Sequence, residues 1–155
     1  MFFLSSCGIY SFTGASIPPN AKSISVKTFQ NNASLINPTL SNQLTESLKS
    51  KFQSQTNLTI VQSSGDFNFE GEITSYSTQP IAIQGNQTAA YNRLTITVNV
   101  RFTNRLDEKQ NFEQSFSRYS DYPSTENLSS IESNLVSTIN EVLVDDIFNK
   151  AFVNW

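Results

Sequence analysis

Arg93 and Arg101 flank the most regular alternation in this 155-residue sequence, and with Thr95, Thr97 and Asn99 between them they fall on one side of an extended chain. Two guanidiniums on one surface, spaced by neutral hydrogen-bonding side chains, offer the planar donor forks that suit phosphates. The same residues make an ordinary solvated sheet face if nothing binds them, and both readings stay open. Glu70 and Glu72 also share one side of an extended segment. Adjacent carboxylates can divide acid and base roles at the right separation, yet no cleft signal accompanies them, and an exposed strand face is the simpler reading.

The remaining chemistry is sparse. Histidine is absent, which removes the side chain that titrates near neutrality without help and the commonest zinc ligand. One cysteine can form neither an internal disulfide nor a cysteine-rich metal site, and no G-x-S-x-G elbow is present. We therefore expect no catalytic residues, no metal and no cofactor. Only 15% of residues are charged, the net charge is -3, and the ten Lys and Arg residues are scattered. Nucleic-acid binding needs a basic stripe that displaces counterions, so no such partner is expected. The polarity comes from Ser, Thr, Asn and Gln, which suits a protein of the cell envelope.

The single cysteine, Cys7, follows Phe2-Phe3-Leu4-Ser5-Ser6 and precedes Gly8. An apolar stretch ending in small residues before a thiol looks like a lipobox, in which the sulfur is alkylated and the cysteine becomes the first residue of the mature chain; the plainer reading is a buried free cysteine near the terminus. A complete signal has a basic n-region and roughly 7–15 apolar residues; here 1–6 reads as a truncated remnant. No segment approaches the ~18 apolar residues of a membrane helix. Anchoring would then rest on acyl chains, each buried methylene contributing ~0.8 kcal/mol. Residues 7–21, with Tyr10, Phe12 and Pro18-Pro19, read as the lipidated cysteine and a tether, and 22–155 as the folded domain.

The elements that must position these groups follow from periodicity. Lys22 to Phe29 alternates, with Ile24 and Val26 on one face, as a half-buried strand does. After Asn37-Pro38, Leu40, Leu44, Leu48 and Phe52 recur every fourth residue and predict a helix with one apolar stripe. Leu58–Val61 is a short apolar run, Ser64-Gly65-Asp66 a turn, and Phe67, Phe69 and Ile73 alternate up to Tyr76. Leu94, Ile96, Val98, Val100 and Phe102 give the clearest strand, with its core face opposite Arg93 and Arg101. The connection before it, Gln79 to Thr88, is longer than a tight hairpin needs and carries Ile81 and Ile83 near its tip; long loops of this kind tend to be functional.

Arg105 to Gln110 is a charged turn, and Phe112, Phe116 and Tyr119 belong to a further strand ending near Tyr122-Pro123. Ser129-Ser130-Ile131-Glu132 has the capping-box form, opening a helix whose apolar face is Leu135, Ile139, Val142, Leu143 and Ile147. It should end near Lys150, leaving Phe152 and Trp155 to pack on the domain edge or a partner. Asp145-Asp146, near its C-terminus where the dipole disfavours anions, needs a partner or solvent to tolerate it. The expected fold is an α+β two-layer sandwich, two helices on one face of a roughly four-stranded mixed sheet.

This order of elements, together with Cys7-Gly8 and an aromatic tether, resembles the LptE family of lipopolysaccharide-assembly lipoproteins. The resemblance is carried by Ser11-Phe12-Thr13-Gly14-Ala15-Ser16, Asn37-Pro38-Thr39-Leu40-Ser41, Phe69-Glu70-Gly71-Glu72-Ile73, Asn92-Arg93-Leu94-Thr95-Ile96 and Asp146-Ile147-Phe148-Asn149-Lys150-Ala151, and spans Cys7 to Trp155. It implies an outer-membrane lipoprotein, lipid-anchored and periplasm-facing or within a barrel lumen, that helps assemble and plug the LptD translocon barrel and contacts lipopolysaccharide. On that reading Arg93, Thr95, Thr97, Asn99 and Arg101, with Ile81 and Ile83, are candidate contacts to lipid A phosphates or to the barrel wall. The alternative is another envelope lipoprotein, a pilotin or a secretion-system adaptor.

Overall fold

In a computed structural model, which describes residues 15–81, 85 and 90–153, eight main elements follow one another: β1 (Ser23–Val26), β2 (Gln30–Asn31), α1 (Leu40–Gln55), β3 (Thr59–Val61), β4 (Phe67–Ile81), β5 (Tyr91–Asn104), β6 (Phe112–Pro123) and α2 (Leu128–Phe152). The sheet order is β3-β1-β4-β5-β6, with β2 added beside β4. β1 runs parallel to both β3 and β4, whereas β4, β5 and β6 form an antiparallel meander. The sheet thus has six strands, not four. The two extra ones, β2 and β3, are two and three residues long, too short to show an alternating pattern.

The apolar stripe of α1 behaves as its spacing demands: Leu40, Leu44, Leu48 and Phe52 are all fully buried. Burying each such side chain is worth ~1.5–3 kcal/mol. Asn37 Oδ1 accepts from the Thr39 N–H at 3.0 Å and organises the turn into the helix. Thr45, buried beside the stripe, accepts from the Phe29 N–H at 3.1 Å, so the β1–β2 connection is tied to the helix it crosses.

α2 departs from expectation in three ways. Its N-cap is Asn127, whose side chain accepts from the Ser129 N–H at 3.1 Å. Glu132 does not close a capping box. It accepts instead from the Tyr76 hydroxyl and, at 3.1 Å, from Asn37 Nδ2, joining α2 to β4 and to the start of α1. Burial, and then the bond to Glu132, hold the Tyr76 phenol well above its usual range, so it remains a donor. Val142 lies 42% exposed, off the buried face, while Val136, Val144 and Phe148 join it.

The helix also runs on to Phe152, which is fully buried rather than placed at an edge. Its ring meets Phe67 edge-on at 5.2 Å, Phe52 at 5.8 Å and Phe102 at 6.0 Å, at the centre of an aromatic cluster shared by both helices and the sheet. Trp155 lies outside the described residues.

The two helices run in the same direction: Asn37 meets Glu132 at their starts, and Phe52 meets Phe152 at their ends. The chain enters at the second pole, where the Ser16 N–H donates to Phe152 O at 2.7 Å and Ile17 and Ala21 pack on the core. There Asp66 accepts from the backbone N–H groups of Lys22 (2.8 Å) and Ser23 (3.1 Å), which lowers its pKa and fixes the start of β1. The β4–β5 hairpin leaves from the opposite pole.

Candidate functional site

Both helices cover one face of the sheet and leave the other bare. Residues that point to the bare face from β4, β5 and β6 line up in cross-strand rows: Glu70, Arg101 and Glu113; Glu72, Asn99 and Ser115; Ser75, Thr97 and Ser117; Ser77, Thr95 and Tyr119; Gln79, Arg93 and Asp121; Ile81, Tyr91 and Pro123. An irregularity between Ile73 and Ser75 keeps this alternation in phase along the long strand β4. At Gly71, on the covered side, an added Cβ would collide with the Asn99 carbonyl and the Phe29 ring, so only glycine fits where the β5 backbone and the Phe29 side chain approach so closely.

The five predicted residues of β5 therefore do share one surface. Their environment differs from two free guanidiniums among hydroxyls. Arg93 makes a bidentate pair with Asp121 (Nε 2.7 Å, Nη2 2.9 Å) and stacks over the Tyr119 ring at 3.7 Å. Arg101 pairs with Glu113 at 3.1 Å and approaches Glu70 at 3.6 Å, and Glu70 in turn holds Lys27 at 2.9 Å. Asn99 Nδ2 donates to Glu113 at 2.9 Å, and the Thr97 and Ser117 hydroxyls bond each other at 2.9 Å. Bonds to Asp121 and Glu113 raise the pKa of Arg93 and Arg101 respectively; Asp121 is lowered by Arg93, Glu113 by Asn99 and then Arg101, and Glu70 by Lys27. A phosphate would have to displace these carboxylates or add to them.

Ile81 is not at a loop tip. It ends β4, opposite Tyr91, and the last row of the bare face is apolar. The strand signal fails there because Pro80 breaks the β pattern by composition, although its position at the hairpin end is tolerated. Ile83 lies outside the described residues, as does Cys7. The reasoning from sequence missed Glu113, Tyr119 and Asp121. A signal for them existed: an antiparallel hairpin that sets Phe102 opposite Phe112 also sets Arg101 opposite Glu113 and Arg93 opposite Asp121. Asp145 and Asp146 find intramolecular cations, Lys51 at 2.7 Å and Arg118 at 2.5 Å.

Glu70 and Glu72 are neighbours on the bare face, each bound elsewhere: Glu70 to Lys27, Glu72 to Asn32 Nδ2. Among the described residues, no group of three or more His, Cys, Asp and Glu could hold a metal ion, and no helix is long and apolar enough to cross a membrane. What the face can do is present an ordered, hydrogen-bonding surface about three strands wide whose charges are paired except at Glu72, which an amide holds.

No curated protein shows significant similarity to the chain. Its fold recurs in solved structures: a minor lipoprotein from Acinetobacter baumannii (16% identical, TM-score 0.54, covering 84% of this chain and 91% of that one), a hypothetical protein from Chlamydia trachomatis (9%, 0.57, 86% and 100%), and an uncharacterized lipoprotein B from Nitrosomonas europaea (11%, 0.55, 96% and 88%). These identities speak to the fold alone. The family model described as "LptE: Lipopolysaccharide-assembly" matches residues 21–151, the whole of the sheet and nearly all of both helices. The chain belongs to the LptE family of lipopolysaccharide-assembly lipoproteins.

Proposed function

We propose that this protein is a non-catalytic outer-membrane lipoprotein, held by a lipid on Cys7, that assists the assembly of an LptD-like β-barrel, plugs it, and contacts lipopolysaccharide on its way to the cell surface. The observation that carries this reading is the bare face of β4, β5 and β6, whose charges are matched across strands. The lumen of an outer-membrane barrel is itself lined by polar side chains. A face of serines, threonines and paired ions can rest against such a wall with a single unpaired carboxylate, Glu72, left for a donor of the barrel to meet.

The contact surface on this reading is Arg93, Thr95, Thr97, Asn99 and Arg101, with Ile81 as its apolar margin; Ile83 is assigned to it by sequence alone. Lipid A phosphates are accepted by partner exchange, in which Arg93 or Arg101 leaves Asp121 or Glu113 for a phosphate oxygen. Affinity capture of the full-length lipoprotein from its host tests the assembly role. An LptD-like barrel is expected in the captured material; its absence, with the lipoprotein folded and in the outer membrane, overturns the reading. Capture of a secretin instead would identify a pilotin.

A further inference from the structure

β6 is one edge of the sheet, and among the described residues no strand pairs with its outer side. The Ser124 N–H donates to Ala90 O at 3.0 Å, whereas Thr97 O turns away from β6 and accepts from Thr74 Oγ1 of β4 at 3.3 Å. Antiparallel pairing alternates in this way, so Glu113, Ser115, Ser117, Tyr119 and Asp121 aim their N–H and C=O groups outward. All five residues are exposed. A regular open edge is a template for another strand, and folded sheets usually blunt it with a short strand, a bulge, lysine or proline. The opposite edge obeys this rule: β3 has three residues, and β2, beside β4, has two. β6 does not. It has twelve residues, no lysine, an unbroken register with β5 from Phe112 to Pro123, and proline only at its last position.

The two sides of this edge specify what would pair with it. On the covered side, Asp146 and Lys150 of α2 reach Arg118 and Phe112 of β6. One turn before Asp146 on that flank of the helix, Val142 lies 42% exposed, and Leu135, two turns further back, is half-buried. Alternate side chains of an added strand would stand beside these apolar groups. The others would extend the bare face, where Glu113 and Asp121 already have Arg101 and Arg93, just as Arg118 has Asp146 on the covered side. No charge at the edge is left to select a charged partner. The edge therefore suits a strand that alternates apolar with uncharged polar residues, the pattern of the ~10-residue strands of outer-membrane barrels. A second copy fits less well. Full-length antiparallel pairing of β6 with itself, centred on Ser117, sets Glu113 opposite Asp121, and like charges directly opposite are destabilising.

We propose that β6 is a strand-addition site, at which a segment of another protein about ten residues long, alternately apolar and uncharged polar, pairs antiparallel through its backbone. Its polar residues exchange bonds with Ser115, Ser117 and Tyr119, and its apolar ones lie beside Val142 and Leu135. The pairing is in the plane of the sheet, not on the bare face, and it does not rest on the role proposed for that face.

The probe is a capped decapeptide alternating threonine and valine, N-methylated on its valines so that one edge alone can pair. Amide hydrogen exchange and methyl shifts of the isotopically labelled full chain are followed by NMR as it is added. Slower exchange at Ser115, Ser117 and Tyr119, with shifts of the Val142 methyls, is expected. Residues directly opposite share a sheet face, so the threonines must supply the paired amides, and the peptide methylated on its threonines instead should bind at least fivefold more weakly. Ser117→Pro, which removes an outward N–H at a position where an edge tolerates proline, and Val142→Gln should each weaken the first peptide at least fivefold, a factor that one lost hydrogen bond or one methylene left in water accounts for. Should Ser117→Pro fail to fold, Val142→Gln and the two peptides decide. No protection at millimolar peptide, equal binding of both methylated peptides, or unchanged binding by Val142→Gln would each overturn the proposal. Protection of the same amides that rises with the protein's own concentration, without peptide, would overturn it in favour of a second copy.

Discussion

The two faces of β5 are built from alternate residues of the same strand and answer to different physics. Leu94, Ile96, Val98, Val100 and Phe102 are at most 1% exposed and are locked against the helices. Arg93, Thr95, Thr97, Asn99 and Arg101 are partly or well exposed and touch mainly one another's neighbours on β4 and β6. The covered face is constrained by packing, where one lost methylene is felt. The bare face is constrained by little that stability needs, because exposed ion pairs are worth ~0–1 kcal/mol each. Order that folding does not require is where a partner surface is to be sought.

That contrast can be broken from the covered side first. Phe152→Ala removes the ring on which Phe52, Phe67 and Phe102 converge and should cost ~3–5 kcal/mol in urea unfolding. A loss under about 1 kcal/mol would mean that the end of α2 is not part of the core. Next comes Glu132→Ala, which strands the Tyr76 hydroxyl and Asn37 amide; a loss of ~1–3 kcal/mol is expected, partly recovered by adding Tyr76→Phe. Failure of the second change to recover anything would argue that the three groups are not coupled.

On the bare face, Arg93→Gln with Arg101→Gln should leave the urea midpoint nearly unchanged while weakening lipopolysaccharide binding. Asp121→Asn with Glu113→Gln frees the two guanidiniums and should strengthen it. Equal binding by all variants would leave this a solvated face. The smallest effect concerns pH. Glu70, Glu113 and Asp121 have pKa values lowered in the fold, so their contribution is present above the ordinary carboxylate range and is lost as pH falls through the lowered values. Urea midpoints should therefore drop in acid, and Asp121→Asn should flatten that drop. Because the pairs are exposed, high salt should shrink it too.

Much of the architecture was readable from the sequence, because α1, β5 and the apolar face of α2 each repeat their period over many residues. The bare face was found from β5 alone for the same reason. What escaped was pairwise. The carboxylates that neutralise Arg93 and Arg101 come from β6, and Lys27 reaches Glu70 across the parallel contact of β1 with β4; a single strand's pattern carries no register. Glu132 fitted a local capping rule, yet Tyr76, 56 residues away, took its carboxylate. Phe152 lay beyond the expected helix end because Lys150 reads as a helix C-terminus, whereas its ammonium in fact lies over the Phe112 ring, 5.7 Å from the centroid. Ile81 was hidden by the proline before it.

The central claim, that the sheet's bare face is the surface turned toward the barrel, is tested most directly by placing a photo-crosslinking residue at Thr97, mid-face, and at Val142, exposed on α2, in the lipoprotein expressed in its host. The account predicts an adduct with an LptD-like barrel from Thr97 that exceeds any from Val142. An adduct from Val142 with none from Thr97 would contradict it.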